Sequence, residues 1–262
     1  MALPEIDILG TGNLAYNLAP ALEQSGFIIN RVYGRSLKAA KNLASNLYQA
    51  APTDSLDFSD SRSSVLLLAI SDDALEEVSR ELVLPDNALV AHTSGTRPLA
   101  VLGYTASPNI GVFYPLQTFS KQKRVKFSGV PILIEGDNTY AEKTLIKIAG
   151  KVSNKVQKAN SRQRKLIHLA AVFAANFTNA MLVHAEELIQ QANADLALLA
   201  PLLEETLGKS MLLGPAAAQT GPAARGDLQV LDEHMQMLAA TPARQEVYRL
   251  ISQQILDRRD EE

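Results

Sequence analysis

The chain has 262 residues, 47% of them hydrophobic and 20% charged, with a formal net charge of -3. That allows one large domain or two smaller ones of ordinary globular composition, with no global electrostatic pull toward nucleic acid. There is no cysteine, which excludes disulfides, thiolate catalysis and cysteine metal sites and is compatible with a reducing cytoplasm.

The N-terminal stretch "MALPEIDILGTGN" runs straight into a strand-like segment. It lacks a basic region followed by a long apolar one, so no signal peptide is expected. No window holds the roughly 18 uninterrupted apolar residues of a spanning helix. The expectation is a cytoplasmic protein with no membrane contact.

In chain order, Ile6–Leu9 is an apolar run ended by a glycine turn, and Leu14–Gln24 reads as a helix. Phe27–Tyr33 is a second run, followed by a helical stretch at Leu37–Leu47. Val65–Ile70 is continuously apolar, as a strand covered on both faces should be. Asp73 and Glu76 then offer a helix start. Ala88–His92, Ile110–Phe113 and Val130–Ile134 are further strand candidates. Thr139 and Glu142 fit a capping box for a helix ending near Gly150. Strands alternating with helices imply βαβ units and a mostly parallel sheet.

The pattern changes after about residue 158. Ser161 to Gln191 holds no glycine, no proline and no strand-like alternation. A second helix spans roughly Asp195–Leu213, two Gly-Pro pairs break the chain in "GPAAAQTGPAARGD", and Leu228–Ala239 is helical again. Thr241 with Pro242 reads as a cap and a first-turn proline opening a last helix. The fold class is therefore α/β: an N-terminal Rossmann-type, doubly wound, mostly parallel sheet over 1–158, then an all-helical domain over 159–262.

"IDILGTGNLA" gives Gly10-x-Gly12-x-x-Ala15 directly after a strand and at the opening of a helix. Gly10 permits the tight turn, Gly12 lets backbone approach a pyrophosphate, and Ala15 lets the helix pack close to the strand. The helix N-terminus offers free N–H groups and a positive dipole end to phosphate. The cofactor-binding turn is thus Gly10, Thr11, Gly12, Asn13 and Leu14. About 20 positions on, an acid would accept from the ribose 2′-hydroxyl and favour NAD. The sequence there reads "NRVYGRS", without an acid between Phe27 and Ala50. Arg35 and Ser36 instead offer a guanidinium fork and a hydroxyl to a 2′-phosphate, so the expected cofactor is NADP (NADPH). Ala69, Ile70 and Ser71 follow the buried strand and border the crevice. Asp72 and Asp73 read as helix-start residues, and no metal site is expected.

"AHTSGT" places Thr93 and Ser94 near the nicotinamide, or makes only a turn. In "GVFYPLQTFS", Tyr114, Gln117 and Thr118 can face the crevice. Lys121, Lys123, Arg124 and Lys126 make a basic loop that reads as solvated surface. "HLAAVFAANFTN" (168–179) reads as a buried apolar helix that carries His168, Asn176 and Asn179. At about 100° per residue these lie on one face with Lys165 and Glu186. Unpaired buried imidazole and amide groups are costly, so the set points to a site lining. His168 is the candidate proton donor, Asn176 a partner for the reacting oxygen or nitrogen, and Asn179 an orienting group. Arg225 in "GPAARGD" can clamp a carboxylate. Asp227 reads as a helix start sharing a face with His234, while His184 and His92 look less placed for chemistry.

"GTGNLAYNLAPAL", "HTSGT", "GVFYPLQTFSK", "HLAAVFAANFTN" and "TGPAARGD", in this order, resemble a bacterial two-domain family. It joins a Rossmann-like domain to a C-terminal helical domain of unknown function, and its members are often described as NADP oxidoreductases. Its wider relatives are the 6-phosphogluconate dehydrogenase-like enzymes, among them pyrroline-5-carboxylate reductase and the ketopantoate reductases. The resemblance implies a helical domain that forms a homodimer and a site between the domains. It departs at Val172, where the hydroxyacid dehydrogenases have a lysine four residues before the asparagine, and at Tyr114, where many relatives have histidine. The function expected is NADP-dependent hydride transfer to a small carboxylate-bearing ketone or aldehyde, such as a ketopantoate-like 2-ketoacid. An imine reductase of the pyrroline-5-carboxylate type, or a non-catalytic NADP-binding sensor, are the alternatives.

Overall fold

The computed structural model describes residues 3–261. Eight strands form one sheet in the order β3-β2-β1-β4-β5-β6-β7-β8. They are β1 Ile6–Leu9, β2 Ile29–Tyr33, β3 Ala51–Thr53, β4 Val65–Leu68, β5 Leu89–His92, β6 Asn109–Pro115, β7 Ile132–Gly136 and β8 Val156–Lys158. All pairs are parallel except β6 with β7. The strand order reverses between β1 and β4, and in an open α/β sheet that is where a crevice opens at the carboxyl ends of the strands.

Successive residues of a strand face opposite sides, and β4 shows the consequence. Val65 and Leu67 join one buried cluster, with α1 (Asn13–Gln24), α2 (Leu37–Ala44) and α4 (Thr139–Val152). Leu66 and Leu68 join the other, with α3 (Leu75–Glu81) and Leu102. Two covered faces are why β4 reads as an unbroken apolar run. β3 and β8 escaped the sequence reading because each is three residues long. β3 also contains Pro52, which an edge strand tolerates.

Local chemistry corrects two caps. α4 is capped by Asn138, whose side chain accepts from the Ala141 N–H, so Thr139 is already the first helical residue. The Thr241 hydroxyl donates backward to the Leu238 carbonyl (3.2 Å) while Pro242 opens α10 (Pro242–Glu261). α5 (Ser161–Ala171) has the reciprocal box instead: Asn160 accepts from the Gln163 N–H and Gln163 from the Asn160 N–H.

The chain divides into two compact units at Asn176/Phe177, not near 158. The first turn of α5 explains why it belongs to the sheet unit. Ser161 donates through its N–H and hydroxyl to Glu135 on β7. The Arg164 guanidinium pairs with Glu135 and donates to the Arg97 carbonyl (2.6 Å).

After α5 the helix winds as a π-helix over Val172–Phe177 and resumes as α6 (Thr178–Gln191). The second unit continues with α7 (Ala200–Leu213), α8 (Pro222–Arg225), α9 (Leu228–Met237) and α10. Asp195 caps the 3-10 turn leading into α7, and Asp227 caps α9, its carboxylate accepting from the Val230 N–H. The glycines of the Gly-Pro loop take positive φ (Gly214 87°, Gly221 109°), conformations that halt a helix.

The long helix is not buried, contrary to its apolar composition. From Ser161 to Phe177 only Arg164 is buried, and α6 contributes no buried residue. By length and composition Ser161–Gln191 is apolar enough to cross a membrane; its polar residues interrupt the apolar run without lowering the average below that limit.

Candidate active site

The crevice at the strand ends is a cavity of about 520 Å³. Gly10 through Leu14 form its floor, Tyr33–Arg35 after β2 and Ala69–Asp72 after β4 its sides, and Thr93 and Ser94 after β5 complete it. Every residue the sequence singled out for the cofactor therefore lines one cavity except Ser36, which stands at the N-cap of α2 beside Arg35.

Backbone bonds fix this arrangement. The Gly10 N–H donates to the Tyr33 carbonyl (2.9 Å) and the Ala69 N–H to the Leu9 carbonyl (2.7 Å). Gly10 has φ of 127°, and a Cβ there would run into the Ala69 carbonyl, so only glycine fits. Gly12, at the N-cap of α1, has open space where a side chain would stand. The free N–H groups of a twelve-residue helix face that space. Ala15 is fully buried, which lets α1 lie close on the sheet. These features fit a dinucleotide: the room beside Gly12 takes pyrophosphate, and exposed Arg35 stands at the ribose position.

The "TSGT" loop is more than a turn. The Ser94 hydroxyl oxygen accepts from the N–H groups of Thr96 (3.1 Å) and Arg97 (2.9 Å), which shapes the loop. Thr93 donates its hydroxyl to the Leu68 carbonyl (3.2 Å). Asp72 accepts from the Thr96 hydroxyl, and the Arg97 Nε donates to the Asp72 carbonyl (3.0 Å), so the β4 and β5 loops are tied together. His92, fully buried at the end of β5, accepts at Nδ1 from the Ser94 N–H (3.1 Å). Burial, and secondarily the charge of Arg164, push its pKa down to about 4. At neutral pH it is an uncharged wall residue.

One residue beyond Ser94, three elements meet. Tyr114, near the end of β6, has its hydroxyl 2.9 Å from Nδ1 of His168 on α5, with ring centroids 6.0 Å apart. Gly95 packs against both: a Cβ there would stand 2.6 Å from His168 Nδ1 and 2.8 Å from Tyr114 Cζ. Arg164, one helical turn before His168, is fully buried against Glu135. A buried ion pair with additional hydrogen bonds holds its geometry tightly, so the helix start is fixed and His168 with it. Burial raises the pKa of Tyr114, outweighing the opposing charge of Arg164. The phenol therefore keeps its proton at neutral pH.

The remaining sequence candidates have other surroundings. Gln117 is exposed, and its amide oxygen accepts from the Thr118 N–H (2.8 Å) and hydroxyl. Asn176 is exposed in the π segment. Asn179 is exposed on α6 and Arg225 on α8, both in the second unit. The common face inferred for Lys165, His168, Asn176, Asn179 and Glu186 assumed a uniform helical step. The π turn, with its i→i+5 bonding, breaks that phase. His234 is bonded through Nδ1 to the Tyr248 hydroxyl (2.8 Å) and is a packed residue of the helical unit. That unit has its own cavity of about 280 Å³ with mainly aliphatic walls, including Leu188, Leu231, Val247 and Ile251. The sequence reading missed Gly95, Glu135 and Arg164. Only Arg164 carried a usable signal: its spacing of four from His168 puts the two on one face of α5.

Comparison with known proteins agrees with this architecture. Residues 2–109 match a Rossmann-like domain and residues 130–255 a domain of unknown function, DUF2520. A Bacteroides fragilis protein assigned as an NADP oxidoreductase is 40% identical, with a TM-score of 0.89 over 98% of this chain and 99% of that one. This chain belongs to that two-domain family. A reductive aminase from Aspergillus terreus, solved with NADPH and ethyl-5-oxohexanoate, shares the fold at 17% identity, with a TM-score of 0.71 over 97% and 92% of the two chains. A pyrroline-5-carboxylate reductase from Coxiella burnetii shares it at 17% identity, with a TM-score of 0.59 over 98% of each chain. No curated protein matches the sequence.

Proposed function

We propose that the protein is a cytoplasmic, NADPH-dependent reductase of a small, carboxylate-bearing carbonyl compound. One observation carries the reading: the crevice over the Gly10–Leu14 turn reaches Ser94, and the next residue, Gly95, packs against a hydrogen-bonded Tyr–His pair. When bound, NADPH supplies the hydride. The chain's own residues bind and polarise. The Gly10–Leu14 turn and the N-terminus of α1 take the pyrophosphate, and Arg35 with Ser36 takes the 2′-phosphate. His168 offers a ring N–H to the substrate oxygen. That donor favours a carbonyl over an iminium, whose nitrogen has no lone pair to accept it. A substrate carboxylate is supported by the pyrroline-5-carboxylate reductase that shares the fold. A 2-ketoacid such as ketopantoate fits this description.

We propose further that the protein works as a homodimer through its helical unit. Leu202, Met211 and Leu212 of that unit are each more than half exposed. Large apolar side chains left exposed in this way mark an interaction site. A second copy is the occupant offered by the chain itself, as in the symmetric oligomers most soluble proteins form.

A fluorescence titration with NADPH and with NADH tests the cofactor reading. NADPH should bind more tightly, and Arg35→Ala should weaken NADPH about ten- to hundredfold while leaving NADH unchanged, the range for one lost charge-assisted contact. Oxidation of NADPH across a panel of small ketoacids and cyclic imines follows. Failure to bind either dinucleotide overturns the reading.

A further inference from the structure

We infer that Tyr114 is a positioning residue that holds the imidazole of His168 with a proton on Nε2, making Nε2–H the atom offered to substrate. The inference rests on the reductase reading for its consequence but on geometry for its content.

The Tyr114 hydroxyl and His168 Nδ1 are 2.9 Å apart, so one of them donates. A phenol is the stronger donor and an unprotonated imidazole nitrogen the stronger acceptor. No other hydrogen bond to the Tyr114 hydroxyl is formed among the described residues, whereas donation to Nδ1 satisfies both groups. Burial keeps the phenol protonated, which sustains that direction. Nδ1 is then the acceptor, and the ring proton must sit on Nε2.

Two further contacts keep the ring in place. Gly95 packs beside the ring, where an added Cβ would stand 2.6 Å from Nδ1 and 2.9 Å from Cγ of His168. The Arg164–Glu135 pair, one turn earlier on α5, anchors the helix that carries it. The ring thus stands beside Gly95, the residue that follows Ser94 of the crevice lining.

The proton balance of a reduction follows. Hydride from the bound dinucleotide goes to the carbonyl carbon, and the carbonyl oxygen takes the Nε2 proton. Nδ1 takes the proton of Tyr114 as Nε2 gives up its own; the pair resets when Nδ1 returns that proton to the phenolate oxygen and Nε2 regains one from water. The net change is one hydride and one solvent proton added across C=O. An alkoxide is basic enough to draw the proton through this pair, even from a phenol whose pKa burial has raised.

The test reads the tautomer directly. Two-bond 1H–15N spectra of uniformly 15N-labelled protein at pH 8 resolve the ring nitrogens of His92, His168, His184 and His234, with His168→Gln assigning the signals. Wild type should show His168 protonated at Nε2. Tyr114→Phe, which removes a single oxygen, should shift those signals toward a mixture of tautomers and leave His92 and His234 unmoved. Gly95→Ala, which parts the pair while keeping both side chains, should do the same. A wild-type His168 protonated at Nδ1 overturns the inference, and so does a ring whose signals Tyr114→Phe does not change. These outcomes hold whether or not turnover is found, so failure of the reductase reading is read separately. Where a carbonyl substrate is reduced, Tyr114→Phe should lower kcat about tenfold with the NADPH Kd unchanged.

Discussion

Gly95→Ala is the substitution that separates the Tyr114–His168 pair from everything around it. The new methyl carbon would stand 2.6 Å from His168 Nδ1 and 2.8 Å from Tyr114 Cζ. An unstrained contact needs about 3.5 Å, so one or both rings must retreat by roughly 0.8 Å. Starting from 2.9 Å, that displacement carries the hydroxyl–nitrogen distance past the range in which a hydrogen bond survives. Overpacking of this size costs about 1–3 kcal/mol of stability, a fall of roughly 2–12 °C in Tm for a chain this long. The catalytic effect should be larger than the lost bond alone. Misplacing a reacting group by about 1 Å costs up to about a hundredfold in rate. Turnover of a carbonyl substrate should therefore fall about 10- to 100-fold. NADPH affinity should stay within about twofold, because Gly95 lies outside the crevice lining. Steady-state kinetics, dinucleotide titration and thermal melting on one preparation separate these effects. A variant that melts lower yet turns over at the wild-type rate would refute the assignment of this pair as the reacting centre.

His92 gives a pH signature. Its folded pKa is about 4 against an ordinary 6.5, so between those values the unfolded chain binds more protons and stability must fall as pH falls. The loss from this one group is about 2 kcal/mol by pH 5 and about 3 kcal/mol near pH 4. Melting at pH 8 and pH 5 should show a steeper loss for wild type than for His92→Asn, and equal losses would remove His92 as the cause. The exposed apolar side chains of the helical unit predict a tight dimer: sedimentation from micromolar to nanomolar chain should give twice the chain mass throughout. A stable monomer at any of these concentrations would contradict it.

Some features were legible in the sequence because backbone geometry demands particular residues. Gly10 must be glycine at φ 127°, so the strand–turn–helix that holds a pyrophosphate is written in residue types. The same is true of β4, whose two covered faces leave no polar position. The Tyr114–His168 contact was not legible. It joins residues 54 apart, and it exists because β7 runs antiparallel to β6 and delivers Glu135 to the start of α5. In the sequence, Arg164 is one charge among several in "SRQRK", and Glu135 ends an ordinary strand. Nothing local distinguishes a buried ion pair from two solvated side chains.

The long helix shows how a sound principle can be applied to a wrong premise. Its apolar composition was read as burial, and burial made its polar residues expensive enough to require a ligand. In the single chain the helix is exposed, so Asn176 and Asn179 carry no such penalty and that argument no longer singles them out. The π turn removes the shared face as well. His168 survives on different grounds: it has a hydrogen-bonded partner, a glycine wall and an anchored helix start. What marks a site residue here is the geometry that fixes its proton, and that geometry depends on groups drawn from β5, β6, β7 and α5 together.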